Sequence, residues 1–108
     1  MSSKLMLVFS NAKPGTGEEF NAWYDQTHVP EVLSFCKEVV SCQRYALTQA
    51  QLNAEQPHQY LAVYEFDGDP DSFLSNLQKA NEKFAMSDSL TDAKVVILNP
   101  ISERLCSE

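Results

Sequence analysis

The sequence contains no long apolar run and no recognisable leader segment. A membrane-spanning helix needs about 20 consecutive apolar residues, and no stretch of this chain approaches that length. The start, Met1-Ser2-Ser3-Lys4, lacks the apolar core and the small-residue cleavage site of a signal peptide. We therefore expect a cytoplasmic protein.

Cysteine is scarce and irregularly spaced. Cys36, Cys42 and Cys106 form an odd count without a Cys-x-x-Cys pair, which argues against both a disulfide framework and a zinc site. The sequence predicts three reduced thiols, with a reactive cysteine nucleophile as the alternative.

Motifs for metals and cofactors are missing as well. Gly15 and Gly17 precede a predicted helix, but they lack the third glycine and the context of a dinucleotide-binding fingerprint. His28 and His58 lie far apart, and no acidic cluster stands at ligand spacing. We expect His58 to be a solvated loop residue. The sequence predicts no metal and no flavin, nicotinamide or haem, so any reaction would be cofactor-free.

Positive charge is also in short supply. Eight Lys and Arg residues against 15 Asp and Glu residues give a formal net charge of −7. The acidic residues are spread along the chain, which favours solubility and disfavours binding to phosphate backbones or anionic bilayers. Nucleic acid and membranes are therefore not expected as partners.

The remaining composition is that of an ordinary globular domain. The chain has 108 residues, of which 44% are hydrophobic and 21% are charged. We interpret residues 1–108 as a single domain. A domain of this size has a large surface relative to its interior, which favours self-association.

Four segments have the composition of β-strands. Residues 4–9 are a short apolar run that ends at a turn. Residues 39–47 are rich in β-branched and aromatic side chains, with Val40, Cys42, Arg44 and Ala46 predicted on one face. After a polar loop over residues 48–59, residues 60–66 alternate so that Tyr60, Ala62, Tyr64 and Phe66 share a face. Residues 93–98 follow a predicted loop at 87–91 and form the fourth strand.

Two segments have the signals of helices. The first helix is predicted to start near Thr16, with Thr16 as N-cap and Glu19 as its capping-box partner. Pro30 should kink or stop it near Val29, before a short continuation to Phe35.

The second helix is predicted to begin with Asp69 as cap and Pro70 at its first position. One face of this helix would carry four apolar side chains at spacings of four, three and four: Phe73, Leu77, Ala80 and Phe84.

The order of these elements is βαββαβ. This order predicts an α+β, ferredoxin-like fold, in which two helices cover one face of a four-stranded antiparallel sheet. The second face of the sheet also needs a cover, and a second copy of the same sheet would provide one. The pattern therefore predicts a homodimer that associates through the sheet face.

His28 is the candidate for acid/base chemistry. It lies one helical turn beyond Tyr24 and three residues beyond Asp25. With its ordinary pKa near 6.5, a histidine can both take and return a proton at neutral pH. The alternative is a half-buried histidine whose ring binds a carbonyl freed at the Pro30 kink.

Four aromatic residues are candidates for the wall of a pocket. Trp23 and Tyr24 offer large contact areas next to His28, and Tyr24 adds a polar group. Trp23, Tyr64 and Phe84 are predicted to bind the substrate. Ordinary core packing is the alternative for Trp23 and Tyr24.

Arg44 is unusual in the middle of an apolar strand, because a buried guanidinium is costly without a partner. Glu65 on the next strand could supply that partner in a cross-strand ion pair. The alternative is that Arg44 holds a carboxylate or enolate oxygen of a ligand.

The segment from Phe20 to Leu33, FNAWYDQTHVPEVL, resembles the first-helix motif of the EthD-like branch of the dimeric α+β barrel superfamily. Members of that branch carry Trp-Tyr, then His four residues after the Tyr, and an Arg-Tyr pair on the following strand, where this chain has Arg44-Tyr45. This chain departs from the family in having Phe35-Cys36-Lys37 where relatives commonly have Pro-Gly.

The resemblance implies a dimeric α+β barrel with a pocket between the sheet and the helices. It implies that His28 is the general acid/base, with Tyr24 and Arg44 as orienting groups. The preferred hypothesis is a cofactor-free lyase, isomerase or monooxygenase acting on a small hydrophobic or aromatic metabolite. The alternative is a non-catalytic small-molecule-binding or accessory protein.

Overall fold

The computed structural model describes residues 4–48 and 57–107. Its four strands are β1 (Lys4–Ala12), β2 (Val39–Ala46), β3 (Tyr60–Phe66) and β4 (Leu90–Leu98). They form one sheet in the order β2-β3-β1-β4, and all three pairings are antiparallel. This is the predicted ferredoxin-like arrangement. β1 and β4 are longer than predicted because they pair with each other as far as Ala12 and Leu90, beyond the apolar stretch. Most of the predicted loop before β3, residues 49–56, lies outside the described residues.

The first helix continues past Pro30 and ends at Phe35 as predicted, and the predicted irregularity before Pro30 is a π-helical turn rather than a stop. It runs through three consecutive segments, which are α1 (Gly17–Trp23), a π-helical turn (Tyr24–His28) and α2 (Val29–Phe35). The Val29 amide donates to the Tyr24 carbonyl, five residues back. An α-helix would place the Pro30 ring against the carbonyl of the residue four positions earlier. The wider π turn relaxes this contact, so the chain keeps its helical course through the proline.

The two helix starts differ in how well the sequence predicts them. α3 (Pro70–Asn81) begins as predicted, because Asp69 Oδ2 accepts a hydrogen bond from the Ser72 amide at 2.9 Å. At the start of α1 the predicted capping box is wrong. The Thr16 hydroxyl donates to the Lys13 carbonyl at 2.8 Å and thereby stabilises the preceding turn.

The predicted faces of β2 are wrong at its first residues. Val39 pairs with Phe66, but Ser41 pairs with the adjacent Glu65, so the register shifts by one residue between them. Because of this irregularity, the Val39 side chain points into the core and the Val40 side chain is 56% exposed. From Cys42 onward the prediction holds, because Cys42 and Arg44 lie opposite the helix-facing Tyr64 and Ala62.

The core lies between the helices and one face of the sheet. Its largest fully buried side chains come from β3, α1 and α3, and include Tyr64, Phe66, Phe20 and Phe73. Phe66 stacks on Phe73 with 4.1 Å between ring centroids. Phe84 lies just beyond the end of α3 rather than on it, but it is buried as predicted.

The second face of the sheet is uncovered and mostly apolar. Strand register places Leu5, Leu7, Phe9, Leu61, Val63, Val96 and Leu98 on this open face. None of these side chains is fully buried within the chain. Among the described residues, no helix is long and apolar enough to cross a bilayer.

Candidate functional site

A small cavity of about 160 Å³ lies between the sheet and the helices. Its floor comes from β1, β3 and β4. Its walls come from the first helix (α1, the π turn and α2), from α3 and from the segment after α3. Five of the six predicted site residues line this cavity: Trp23, Tyr24, His28, Tyr64 and Phe84. Arg44 does not.

The π turn brings Trp23 and His28 together. The two residues are five positions apart, whereas neighbours on a regular α-helix are three or four apart. Their rings nevertheless stack with centroids 4.8 Å apart. The edges of two further rings complete the surroundings of His28, with centroid distances of 5.0 Å to Tyr24 and 5.3 Å to Phe84.

His28 is neutral at pH 7 and lacks a partner at one nitrogen. Burial lowers its pKa from 6.5 to about 4, and the influence of the Glu31 carboxylate only partly opposes this shift. The expectation of an ordinary pKa near 6.5 is therefore wrong, because the aromatic surroundings desolvate the ring. Nδ1 is buried and has no hydrogen-bond partner among the described residues. That nitrogen does not bind a carbonyl freed at Pro30.

Two tyrosines line the same cavity as the histidine. Burial raises the pKa of Tyr24 to about 12, although the neighbouring Tyr64 hydroxyl and Arg44 counteract part of the shift. Burial also raises the pKa of Tyr64, so both phenols are neutral at pH 7. The Tyr64 hydroxyl is the second buried polar group that meets no partner at hydrogen-bonding geometry in the described part of the chain, although the Tyr24 hydroxyl and the Cys42 thiol lie close enough to influence its pKa.

Arg44 lies behind Tyr24, away from the cavity. Its guanidinium donates to Asp25 Oδ1 at 2.9 Å and to Asn21 Oδ1 at 2.7 Å. The same group lies 4.3 Å from the Tyr24 ring centroid in a cation–π contact. We call Asn21, Asp25 and Arg44 the arginine clamp. The predicted pairing with Glu65 is wrong, since Arg44 lies opposite Ala62, three residues along β3 from Glu65, and Glu65 accepts from Ser41 instead.

His58 is less solvated than predicted. Its side chain is 14% exposed and its Nε2 lies 3.2 Å from Asp92 Oδ2. It contacts Phe9, which belongs to the open face, and it does not line the cavity. In residues 4–48 and 57–107, no three His, Cys, Asp or Glu side chains are grouped so that they could hold a metal ion.

The cavity residues contributed by β1 and β4, and Met86 after α3, were not predicted from the sequence. Met6, Val8 and Ser10 alternate along β1 and all line the cavity. This period-2 pattern was visible in the sequence. The contribution of Met86 and Val95 had no such signal, because both are about half exposed and belong to a loop and an edge strand.

No protein-family model matches the sequence, and no curated protein matches it. Solved structures do resemble it. A MhuD variant with manganese protoporphyrin IX bound aligns with a TM-score of 0.69 and 10% identity, over 95% of this chain and 99% of that chain. A protein from Arabidopsis thaliana gives 0.66 and 12%, over 94% and 99% of the two chains.

A third structure, an ethyl tert-butyl ether d (EthD) family protein from Bacillus halodurans, aligns with a TM-score of 0.57 and 17% identity, over 94% of this chain and 100% of that chain. At such low identities the likeness establishes the fold alone. The chain therefore has a ferredoxin-like fold, which its resemblance to the EthD-like first-helix motif predicts.

Proposed function

We propose that this protein binds a small cyclic metabolite in the cavity beside His28 and that His28 accepts a proton from it. The observation that carries this proposal is the pair of unpartnered polar groups, His28 Nδ1 and the Tyr64 hydroxyl. Both residues line one mostly apolar cavity. An unsatisfied buried polar group costs about 1–3 kcal/mol. A ligand with a matching donor and acceptor would recover this free energy on binding.

The size of the cavity supports a ligand of about one ring. Its volume of about 160 Å³ is close to that of the roughly 150 Å³ apolar cavity known to bind benzene. It is below the roughly 300–1,000 Å³ of pockets for drug-sized ligands. A macrocycle such as the porphyrin bound to the MhuD variant is too large for it. The residues of this cavity therefore do not fit that group.

The charge states support a base rather than an acid at the start of the reaction. A histidine with a pKa of about 4 is not in the imidazolium form at pH 7 and so cannot act as a general acid, but its unprotonated ring nitrogen can accept a proton. In a cyclic ketone or lactone, the C–H bond next to the carbonyl would break. The proton would move to His28, and the electron pair would move to the carbonyl oxygen. The neutral Tyr64 hydroxyl would donate a hydrogen bond to that oxygen.

Binding without turnover is the second candidate. It is favoured by the same low pKa, because a histidine with a pKa of about 4 is a weak base. In this case the cavity would sequester its ligand, and the two polar groups would provide selectivity alone.

A pair of probes tests the binding step. Phenol and toluene are both single rings, and only phenol carries a hydroxyl. We expect NMR titration to show that the wild type binds phenol about tenfold more tightly than toluene, as one net hydrogen bond of about 1.4 kcal/mol requires. The preference should disappear in the double variant His28→Leu/Tyr64→Phe. Equal affinities in the wild type, or no binding of either probe, would contradict the proposal.

Proton exchange tests the chemical step without knowledge of the natural substrate. In D₂O, the protons next to the carbonyl of cyclohexanone should exchange faster with the wild type than with His28→Asn, as followed by ¹H NMR. If both proteins exchange these protons at the rate of buffer alone while phenol still binds, the second candidate replaces the first.

We also propose a homodimer that associates through the open face. The apolar residues of that face are only partly buried in the single chain, and a two-fold copy of the same sheet would cover them. Light scattering should give twice the chain mass of 12.2 kDa. Leu7→Lys, in the middle of the face, should give the single mass, whereas Gln78→Lys on the exposed side of α3 should not. A wild type that stays monomeric at micromolar concentration contradicts the dimer.

A further inference from the structure

The segment after α3, residues 82–89, forms one wall of the cavity. Phe84 and Met86 both line the cavity, and Ala85 lies between them. Phe84 is buried against His28, while Met86 is 51% exposed at the surface. This short stretch therefore separates part of the cavity from solvent.

Two side chains of the first helix, one from α1 and one from α2, bind the backbone of a single residue in this segment, Ala85. Trp23 Nε1 donates to the Ala85 carbonyl at 2.7 Å, and Glu31 Oε1 accepts from the Ala85 amide at 2.9 Å. Both backbone polar groups of Ala85 are therefore bonded by side chains rather than by a strand or helix partner. The bond to Glu31 involves a carboxylate, which makes it stronger than a neutral hydrogen bond.

The backbone on either side of Ala85 is anchored independently. The amides of Lys83 and Phe84 donate to the carbonyls of Ala80 and Asn81, and the Ser89 carbonyl accepts from the Lys13 amide. Ala85 lies between these fixed ends, directly after Phe84 and four residues before Ser89. Loss of the Trp23 and Glu31 contacts would therefore free the middle of the segment without detaching its ends.

We propose that Trp23 and Glu31 are positioning residues which hold Phe84 and Met86 against the cavity and thereby set the largest ligand that it admits. This inference rests on the proposed function, because it assigns the size selectivity of the same cavity. It also gives the motif residues on either side of His28 a role distinct from chemistry. Glu31 itself does not line the cavity.

Substitutions at Glu31 provide a matched test. Glu31→Gln keeps an acceptor for the Ala85 amide and removes the charge, whereas Glu31→Leu removes both. In the protein without ligand, hydrogen exchange of the Ala85 amide should be about tenfold faster in Glu31→Leu than in the wild type. Glu31→Gln should stay within about threefold of the wild type. The tenfold change corresponds to about 1.4 kcal/mol, as expected for loss of a hydrogen bond to a carboxylate, and a threefold change corresponds to about 0.6 kcal/mol.

The ligand measurement uses phenol and the two-ring 1-naphthol. The ratio of the two affinities should shift toward 1-naphthol by at least about fivefold in Glu31→Leu and remain unchanged in Glu31→Gln. Trp23→Phe, which keeps a ring and removes the indole donor, should resemble Glu31→Leu in amide exchange.

Equal amide exchange in the wild type and Glu31→Leu would overturn the positioning role. Faster exchange with an unchanged affinity ratio would overturn the size selectivity. Failure of phenol to bind the wild type would instead contradict the proposed function, and amide exchange would still decide whether Glu31 holds the segment.

Discussion

The arginine clamp and the cavity both contact Tyr24 but differ in how their polar groups are satisfied. In the clamp, the guanidinium of Arg44 lies over the ring and makes short bonds to Asn21 and Asp25. In the cavity, the Tyr24 ring packs at a right angle to His28, whose Nδ1 has no partner in the described structure. A satisfied network needs only a structural explanation. A ligand would gain most binding free energy in the cavity, where polar groups lack partners. From this contrast we expect Arg44 to support the structure of the site rather than to act in the chemistry.

The largest expected effect is the pH dependence of the free energy of unfolding that arises from His28 in the cavity. The folded protein takes up a proton at His28 only near pH 4, whereas the unfolded chain takes it up near pH 6.5. The free energy of unfolding should therefore fall as pH decreases from 6.5 to 4, by at most about 3 kcal/mol. Urea unfolding of the wild type and of His28→Asn between pH 7 and 4.5 measures this contribution as a difference in slope. Parallel curves would mean that His28 is not buried as a neutral ring.

A smaller loss is expected when the arginine clamp is removed. Arg44→Met keeps a long apolar stem but loses two charge-assisted hydrogen bonds and the contact with Tyr24. Because Asp25 is largely exposed and can be hydrated, we expect a loss of about 2 kcal/mol.

Arg44→Lys serves as the control for the clamp, because a single ammonium cannot reproduce the fork that reaches both partners. It should fall between Arg44→Met and the wild type. Chemical denaturation measures both variants, and a loss below about 0.5 kcal/mol for Arg44→Met would show that the clamp is not structural.

The smallest expected effect compares the same substitution, Tyr to Phe, at two positions. It should change stability in opposite directions in the cavity and beside the arginine clamp. Tyr64→Phe removes a buried hydroxyl without a partner, so stability should stay the same or rise by up to about 1 kcal/mol. Tyr60→Phe removes a hydroxyl that accepts from Asn21 at 3.5 Å, so stability should fall by about 0.5 kcal/mol. Thermal unfolding at pH 7 compares them. A clear loss in Tyr64→Phe would mean that its hydroxyl has a partner after all.

The fold followed from local patterns that depend on few neighbours. The alternation over residues 60–66 predicted β3 to the residue, and Asp69-Pro70 predicted the start of α3, because strand pleat and helix caps are set by adjacent residues. The register shift at the start of β2 was missed, since it depends on pairing with β3.

The part of the candidate site that depends on local spacing was predicted, and the part that depends on contacts between elements was not. His28 and its aromatic neighbours on one helix were found from spacing. The partners of Arg44 were not, because Asn21 and Asp25 reach it from another element. The low pKa of His28 was missed as well, since desolvation arises from Trp23 and Phe84 packing around the ring in three dimensions.

Because of the π turn, the contacts of the site depend on the exact number of residues in the first helix. It amounts to one extra residue in an otherwise regular helix, and each residue of an α-helix advances the chain by about 100°. Deletion of Gln26 would allow ordinary helical bonding, but it would rotate α2 by about that angle against α1. His28 would then leave Trp23, and Glu31 would leave Ala85. The arrangement therefore depends on the length of the segment as much as on its residues, and it can be gained or lost in one insertion or deletion.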